Sequence, residues 1–166
     1  MNEPGPAAMT TTRVDAVVGF LEGAQVPYQL VQHTPVMSSG EQALAVEQEP
    51  ERVAKTIILH DGEAYVIAAI SAADRLDLHK LRDVLGASRH LRLASEPEIE
   101  RDFPSMEVGA VPPFGPMVPL AEIIDARLAK QQQVLCAAGD HTHSVLIDPR
   151  EIVRITAARV ADICEE

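Results

Sequence analysis

The sequence is poor in aromatic residues and in cysteine. Phe, Trp and Tyr make up 3% of its 166 residues, and Trp is absent. The core must therefore be aliphatic, and a surface on which bases stack against aromatic rings is a poor fit to this composition. The two cysteines, Cys136 and Cys164, lie far apart and form no CxxC pair. This spacing predicts neither a zinc site nor a disulfide scaffold.

Positive charge and long apolar runs are also scarce. Lys and Arg number 14 against 25 Asp and Glu, which gives a formal net charge of −11. A broad basic surface for nucleic acid is therefore not expected, although a small basic spot is compatible with the sequence. No apolar run is long enough to span a membrane, and the N-terminus lacks the pattern of a signal peptide. We expect a cytoplasmic protein that binds neither DNA nor a membrane.

Helical and strand patterns are interleaved along the chain. Residues 1–11 are rich in Pro, Gly, Ala and Thr and are predicted to be a disordered tail, whereas 12–166 are predicted to form one domain. The patterns predict helices near 12–23, 41–48, 77–85, 96–100, 149–153 and 157–164, and strands near 28–32, 53–60, 64–70, 91–93, 120–124, 133–138 and 144–147. Because hairpins occur among the helices, we predict an α/β protein of the α+β type with a mixed sheet.

The segment from Val53 to His60 contains a lysine in an apolar strand pattern. Asp61-Gly62 and a second apolar run follow, so a β-hairpin is predicted. Lys55 shares a strand face with apolar residues, and the strand is expected to be central. A buried ammonium is costly unless it is paired. The lysine therefore either reaches water or meets a carboxylate near the strand end, or is a cation fixed at the wall of a pocket.

The loop from Glu107 to Pro116 combines two glycines with three prolines. Proline fixes φ and has no N–H, and glycine allows unusual backbone angles and a close approach by a ligand. The loop is therefore either a rigid connector or a wall that presents backbone groups to a ligand.

The segment from Gly139 to Ser144 concentrates carboxylate, imidazole and hydroxyl groups. His141 and His143 would share a strand face, but no third metal ligand is evident, so a polar hairpin tip is favoured over a metal site. Ser144 beside a histidine has the composition of a nucleophile–base pair, yet the spacing supports no catalytic triad. His33 is expected at the surface. The common motifs GxGxxG, GxxxxGK[ST], HExxH and GxSxG are absent.

Three stretches, in this order, resemble the YbaK/prolyl-tRNA-synthetase-associated domain family. They are Val53-Ala54-Lys55-Thr56, the Gly-Ala-Val-Pro-Pro-Phe-Gly run at 109–115, and a Gly-Asp turn before Ile147-Asp148-Pro149. The likeness extends over about 14–155, and His33-Thr34-Pro35 is similar to the family's early His-x-Pro element. The resemblance implies a barrel-like sheet with flanking helices. It also implies a free-standing aminoacyl-tRNA deacylase, which hydrolyses the ester between a wrong amino acid and the tRNA.

The resemblance assigns roles to particular residues. Lys55 would hold the phosphate of the terminal adenosine or the substrate ester, and Gly109 would orient the reacting water or the 2′-hydroxyl through its backbone. Pro113 would keep the loop rigid. An aminoacyl ester is already activated, so no protein nucleophile is required. No cofactor and no metal are implied. The other predicted substrate-binding residues are His33, Ala110, Asp140, His141, His143 and Ser144.

The predicted substrate is a small amino acid on tRNA. The loop and the turn look more like members that act on Ser- or Thr-tRNA than like members specific for Ala or Cys, although 116–119 lack an aromatic residue expected there. The predicted partner is the acceptor end of the tRNA, and a synthetase or elongation factor is expected to complete recognition. The alternatives are a non-catalytic module that binds a nucleotide-like or aminoacyl ligand, and an interaction protein with a vestigial pocket.

Overall fold

Helices and strands alternate along the chain. The computed structural model describes residues 12–87, 89–114 and 120–166, so the predicted tail at 1–11 and the loop part at 115–119 lie outside the described residues. The helices are α1 (Arg13–Gly23), α2 (Ser39–Ala45), α3 (Leu78–Leu85), α4 (Glu96–Asp102), α5 (Ala126–Ala129) and α6 (Pro149–Thr156), with a 3-10 turn at Pro50–Arg52. The strands are β1 (Tyr28–Gln32), β2 (Ala54–His60), β3 (Tyr65–Ser71), β4 (Arg92–Leu93), β5 (Ala121–Asp125), β6 (Val134–Ala137), β7 (His143–Ile147) and β8 (Arg159–Ala161).

The described helices begin at residues that can cap them. An oxygen in each of six capping side chains accepts a hydrogen bond from a backbone N–H in the first turn of the following helix, and so satisfies a donor that the helix cannot satisfy itself. These residues are Thr12, Ser38, Asp77, Ser95, Asp125 and Asp148. Gly86 ends α3 in the left-handed conformation. Within the described residues, no helix has the length and apolar character needed to cross a membrane.

The strands form two sheets. The larger has the order β4-β2-β3-β5-β8, in which β3–β5 and β5–β8 are parallel and the other pairs antiparallel. The smaller, β1-β7-β6, is antiparallel. An isolated bridge between Val53 and Leu135 joins the two. The mixed sheet with flanking helices confirms the predicted fold class. The described strands do not close into a complete barrel.

The two sheets share one apolar core. Ile58 and Ile67 of the larger sheet and Val145 and Ile147 of the smaller sheet belong to the same buried cluster. A second cluster covers the opposite face of the larger sheet, where Leu81 of α3 packs with residues of β2, β3 and β5. Burial on both faces explains why β2 and β3 are nearly continuous apolar runs. The shared core supports the single domain over 12–166, which stays a prediction.

The predicted last helix, over 157–164, is wrong. Ala157 adopts a left-handed conformation (φ 54°) that ends α6, and the chain then forms β8. Val160 pairs with Ile124 of the buried strand β5. Local helix propensity is a weak preference, and here sheet pairing together with burial of Ile163 outweighs it.

Candidate active site

A cavity of about 330 Å³ lies where the N-terminus of α2 meets the start of β2 and the loop at 107–114. We call it the main cavity. The described part of its lining is made of small, polar and aliphatic residues, with one charged side chain, that of Lys55. The lining residues are Met37, Ser38, Ser39, Gly40, Gln42, Ala54, Lys55, Thr56, Ala72, Gly109, Val111 and Ala137. The two predicted catalytic residues, far apart in sequence, thus line one cavity.

Lys55 is exposed, although its neighbours in the strand are apolar. The strand β4 pairs with β2 only at Leu59 and His60, so the first half of β2 has no neighbouring strand of the sheet on that side. Among residues 12–87, 89–114 and 120–166, none forms a hydrogen bond or an ion pair with the Lys55 ammonium. The side chain is therefore a solvated cation at the cavity wall and not a buried charge.

Gly109 has a backbone conformation that favours glycine. Its φ is +85°, and a Cβ at this position would lie 3.4 Å from the Met37 carbonyl oxygen and 3.5 Å from Cε1 of His141. Backbone bonds hold this loop to the β6–β7 turn, because Glu107 N–H donates to Gly139 O and Gly139 N–H donates to Ala110 O, each at 2.9 Å. The conformation of Gly109 is thus fixed from two sides.

A small recess adjoins the main cavity and gathers most of the other predicted residues. It shares Ser38, Gln42, Gly109 and Ala137 with the main cavity, and its remaining lining is His33, Val36, Ala110, Asp140, His141, His143 and Ser144. Pro113 is buried and lies outside both linings. The structure therefore brings six predicted substrate-binding residues together behind the main cavity. Direct contact between them and a substrate stays a prediction.

Ser144 is the centre of a buried hydrogen-bond chain. Its Oγ lies 2.7 Å from Nε2 of His33 and 2.6 Å from Nε2 of Gln42. On its other side, His33 Nδ1 lies 2.8 Å from the carbonyl oxygen of Thr34. His33 is half-buried rather than a free surface residue, because its ring reaches the buried hydroxyl. The sequence pattern did not single out Gln42. The one sequence feature that points to Gln42 is the helix cap at Ser38, which places Gln42 one turn into α2.

The two histidines of the β6–β7 turn have different carboxylate partners. Nδ1 of His143 lies 3.0 Å from Asp140 Oδ1, which also accepts from the backbone N–H of Thr142 at 2.9 Å. Nε2 of His141 lies 3.2 Å from Glu107 Oε2. The turn is therefore stiffened by two separate pairs, and in the described part of the chain these rings do not converge on a shared metal position.

Asp140→Asn should destabilise the protein by about 1 kcal/mol at neutral pH, because a charge-assisted bond is lost. Burial acts to raise the pKa of Asp140, but hydrogen bonds from Thr142 and His143 outweigh it, and the pKa lies below its ordinary value. The carboxylate's contribution is therefore fully present above the unfolded-state pKa of about 3.9 and is lost as pH falls through the lower folded-state value. Urea unfolding at pH 7 and pH 3 measures the difference.

Asp83→Asn is the matched control for this prediction. Asp83 pairs with His79 at 3.6 Å, but both side chains are largely exposed, so the change in unfolding free energy should be small. If Asp140→Asn lowers the free energy of unfolding by the same amount at pH 7 and pH 3, the ionised carboxylate of Asp140 does not stabilise the fold.

A separate polar cluster, formed by Asp74, Asp125 and Cys164, fastens the C-terminal segment. One ligand-type atom from each lies within 4.8 Å of the others. The oxygens of Asp125 accept hydrogen bonds from the backbone N–H groups of Ile163 and Arg127, at 2.9 and 3.0 Å. Burial, together with Asp125, raises the pKa of Cys164 to about 12. Because Asp125 already accepts from two backbone N–H groups of neighbouring segments, we assign the cluster to stability.

The fold and the cavity belong to a known class of proteins. Residues 33–155 match the family model described as "Aminoacyl-tRNA editing domain", so the chain belongs to this family. The resemblance inferred from the sequence motifs is confirmed. The protein is an aminoacyl-tRNA deacylase, a hydrolase whose substrate is mischarged aminoacyl-tRNA.

Individual relatives cover nearly the whole chain. The prolyl-tRNA editing protein ProX of Acetoanaerobium sticklandii is 24% identical over 149 residues, which are 86% of this chain and 90% of that protein. The crystal structure of a candidate trans-editing enzyme for prolyl-tRNA synthetase has a TM-score of 0.81 and 26% identity, and the match covers 95% of this chain and 99% of that one. A structure from work on computational epitope grafting onto scaffold proteins has a TM-score of 0.81 at 25% identity, with the same coverage.

Proposed function

We propose that the protein removes small amino acids from mischarged tRNA, with serine and threonine ahead of alanine and cysteine. The observation that carries this proposal is that Lys55, Gly109 and several uncharged hydrogen-bonding groups line one cavity of about 330 Å³. Ser38, Ser39, Thr56 and Gln42 can bond a substrate hydroxyl. A cavity alone discriminates a methylene by only about 1–3 kcal/mol, so polar contacts are the more effective basis for selection.

The proposed mechanism positions a water molecule or the tRNA 2′-hydroxyl and uses no protein nucleophile. Among the residues that the structure describes, the lining of the main cavity contains no cysteine, carboxylate or imidazole. Ser144 is fully buried and is bonded to both His33 and Gln42, so it is not presented to the ester. Lys55 would stabilise negative charge on the reacting ester or hold the terminal phosphate. The backbone of Gly109 would orient the attacking oxygen. Such positioning and charge stabilisation suffice for an activated ester.

The proposed partner is the acceptor end of tRNA, bound on the Lys55 side of the cavity. On the other side of Gly109, a cleft of about 630 Å³ is lined by Glu96, Glu100 and Glu107, as well as by Arg13. These carboxylates disfavour a phosphate backbone there. Because its net charge is −11, the protein is expected to bind little of the tRNA beyond the acceptor end. We therefore propose that a synthetase or an elongation factor assists in the cytoplasm. The names of two relatives point to the tRNA that prolyl-tRNA synthetase charges.

The test is hydrolysis of a panel of charged tRNAs by the wild-type protein. Proline-accepting tRNA carrying Ser, Thr, Ala or Cys is compared with the same tRNA carrying proline. We expect Ser and Thr to be released fastest and proline to be retained. Faster release of Ala or Cys would contradict the proposed order while leaving the deacylase activity in place. If folded protein releases none of them, a non-catalytic binding module is the better description.

A further inference from the structure

Gln42 combines deep burial with a polar atom that has no partner among the described residues. Its side chain lines both the main cavity and the recess, and the residue is only 4% exposed. Its Nε2 is bonded to Ser144 Oγ at 2.6 Å. In the described part of the chain, no group donates a hydrogen bond to Oε1. Oε1 is also not fully enclosed by protein, so an occupant of the cavity can reach it. A buried acceptor of this kind is costly unless a ligand or water completes it.

The orientation of the Gln42 carboxamide follows from the bonds behind it. The Thr34 carbonyl can only accept, so Nδ1 of a neutral His33 carries the proton and donates to it. Nε2 of His33 is then an acceptor, and the hydroxyl of Ser144 must donate to it. The Ser144 oxygen in turn accepts from the Gln42 amide nitrogen. With His33 neutral, these hydrogen bonds run in one direction. The Gln42 Nε2 then donates to Ser144, and Oε1 remains as an acceptor for an occupant of the cavity.

We infer that Gln42 Oε1 accepts a hydrogen bond from the side-chain hydroxyl of a seryl or threonyl substrate, which makes Gln42 a specificity-determining residue. Lys55 and Gly109, which would meet the ester, are exposed, whereas Gln42 is buried. The amino-acid side chain extends beyond the ester and is the part that reaches this depth. The α-ammonium group is a weaker candidate, because Lys55, the one charged side chain among the described lining residues, repels it.

This inference rests on the proposed function and is tested by comparing seryl- and alanyl-esters on the same tRNA. Gln42→Met keeps the length of the side chain and removes both the donor and the acceptor. The ratio of kcat/KM for Ser over Ala should fall by about tenfold. In the variant, the hydroxyl of the seryl substrate is buried without a hydrogen-bond partner, so it no longer favours Ser over Ala. Thermal unfolding of each variant verifies the fold.

Ser144→Ala provides a second variant that leaves Gln42 in place. Without the Ser144 oxygen, the carboxamide is no longer held in one orientation, so the Ser/Ala ratio should also fall, by less than in Gln42→Met. Equal losses for both substrates in the two variants would overturn the role of Gln42 and leave the deacylase function standing. A wild-type preference for alanyl-tRNA would also overturn it. If folded wild-type protein hydrolyses neither ester, the proposed function itself is wrong, and the role of Gln42 is rejected together with it.

Discussion

Lys55→Ala is expected to reduce kcat/KM for deacylation by roughly 10²–10³-fold while the fold survives. A preorganised positive group at the reacting ester contributes on this scale to charge stabilisation. The free energy of unfolding should change by no more than about 0.5 kcal/mol, because the side chain is exposed and has no bonded partner in the described residues. Single-turnover hydrolysis and urea unfolding of the same preparation measure the two quantities.

Lys130→Ala is the matched control for this experiment. Lys130 is also exposed, but it lies at the end of α5, outside the lining of the main cavity. Its loss should leave hydrolysis within about twofold of wild type, as is usual for a surface change away from the site. If Lys55→Ala unfolds, the lysine is structural. If it hydrolyses the ester at the wild-type rate, Lys55 has no part in the reaction.

Gly109→Ala should reduce both stability and activity, and the loss of activity should be the larger effect. A positive φ costs an L-residue about 1 kcal/mol, and the added Cβ would meet the Met37 carbonyl and His141. Relaxation of the strained φ moves the backbone that would orient the attacking oxygen. A misplacement of about 1 Å can cost roughly 10²-fold in rate. Hydrolysis rates and urea unfolding curves provide the comparison.

Gly62→Ala separates the strain from the function. Gly62 lies in the β2–β3 turn with φ +104°, and a Cβ there would meet nothing within 4 Å. It should therefore destabilise the protein by a similar amount of about 1 kcal/mol and leave kcat/KM nearly unchanged. If both variants lose activity in proportion to stability, Gly109 acts only through the fold.

Local physical signals were sufficient to predict most of the secondary structure. The caps at Ser38 and Ser95 and the Asp61-Gly62 turn act within a few residues, so the elements they bound could be placed from the sequence. The last segment could not, because Val160 joins a strand that lies far away in the chain. The exposure of Lys55 depends on where β4 ends, which no pattern within β2 encodes.

The sequence predicted several residues of the candidate site but not the hydrogen bonds that join them. Family motifs identified Lys55 and Gly109, which line one cavity. The hydrogen bond between Ser144 and Gln42 joins residues 102 positions apart, and neither residue carries a motif that indicates the other. A glutamine in a short polar helix has the pattern of a surface residue. Only the position of α2, which brings Gln42 to Ser144 of β7, makes it part of the cavity lining.

The main cavity lies at a boundary between two independently bonded sheets. Thr56 belongs to the larger sheet and Ala137 to the smaller one, while α2 and the loop supply much of the remaining wall. The isolated bridge at Val53 is the one strand pairing that crosses this boundary among the described residues. Substitutions in α2 or the loop can therefore reshape the cavity without breaking the ladder of either sheet. Such an arrangement allows the shape of the cavity to change while the scaffold stays the same.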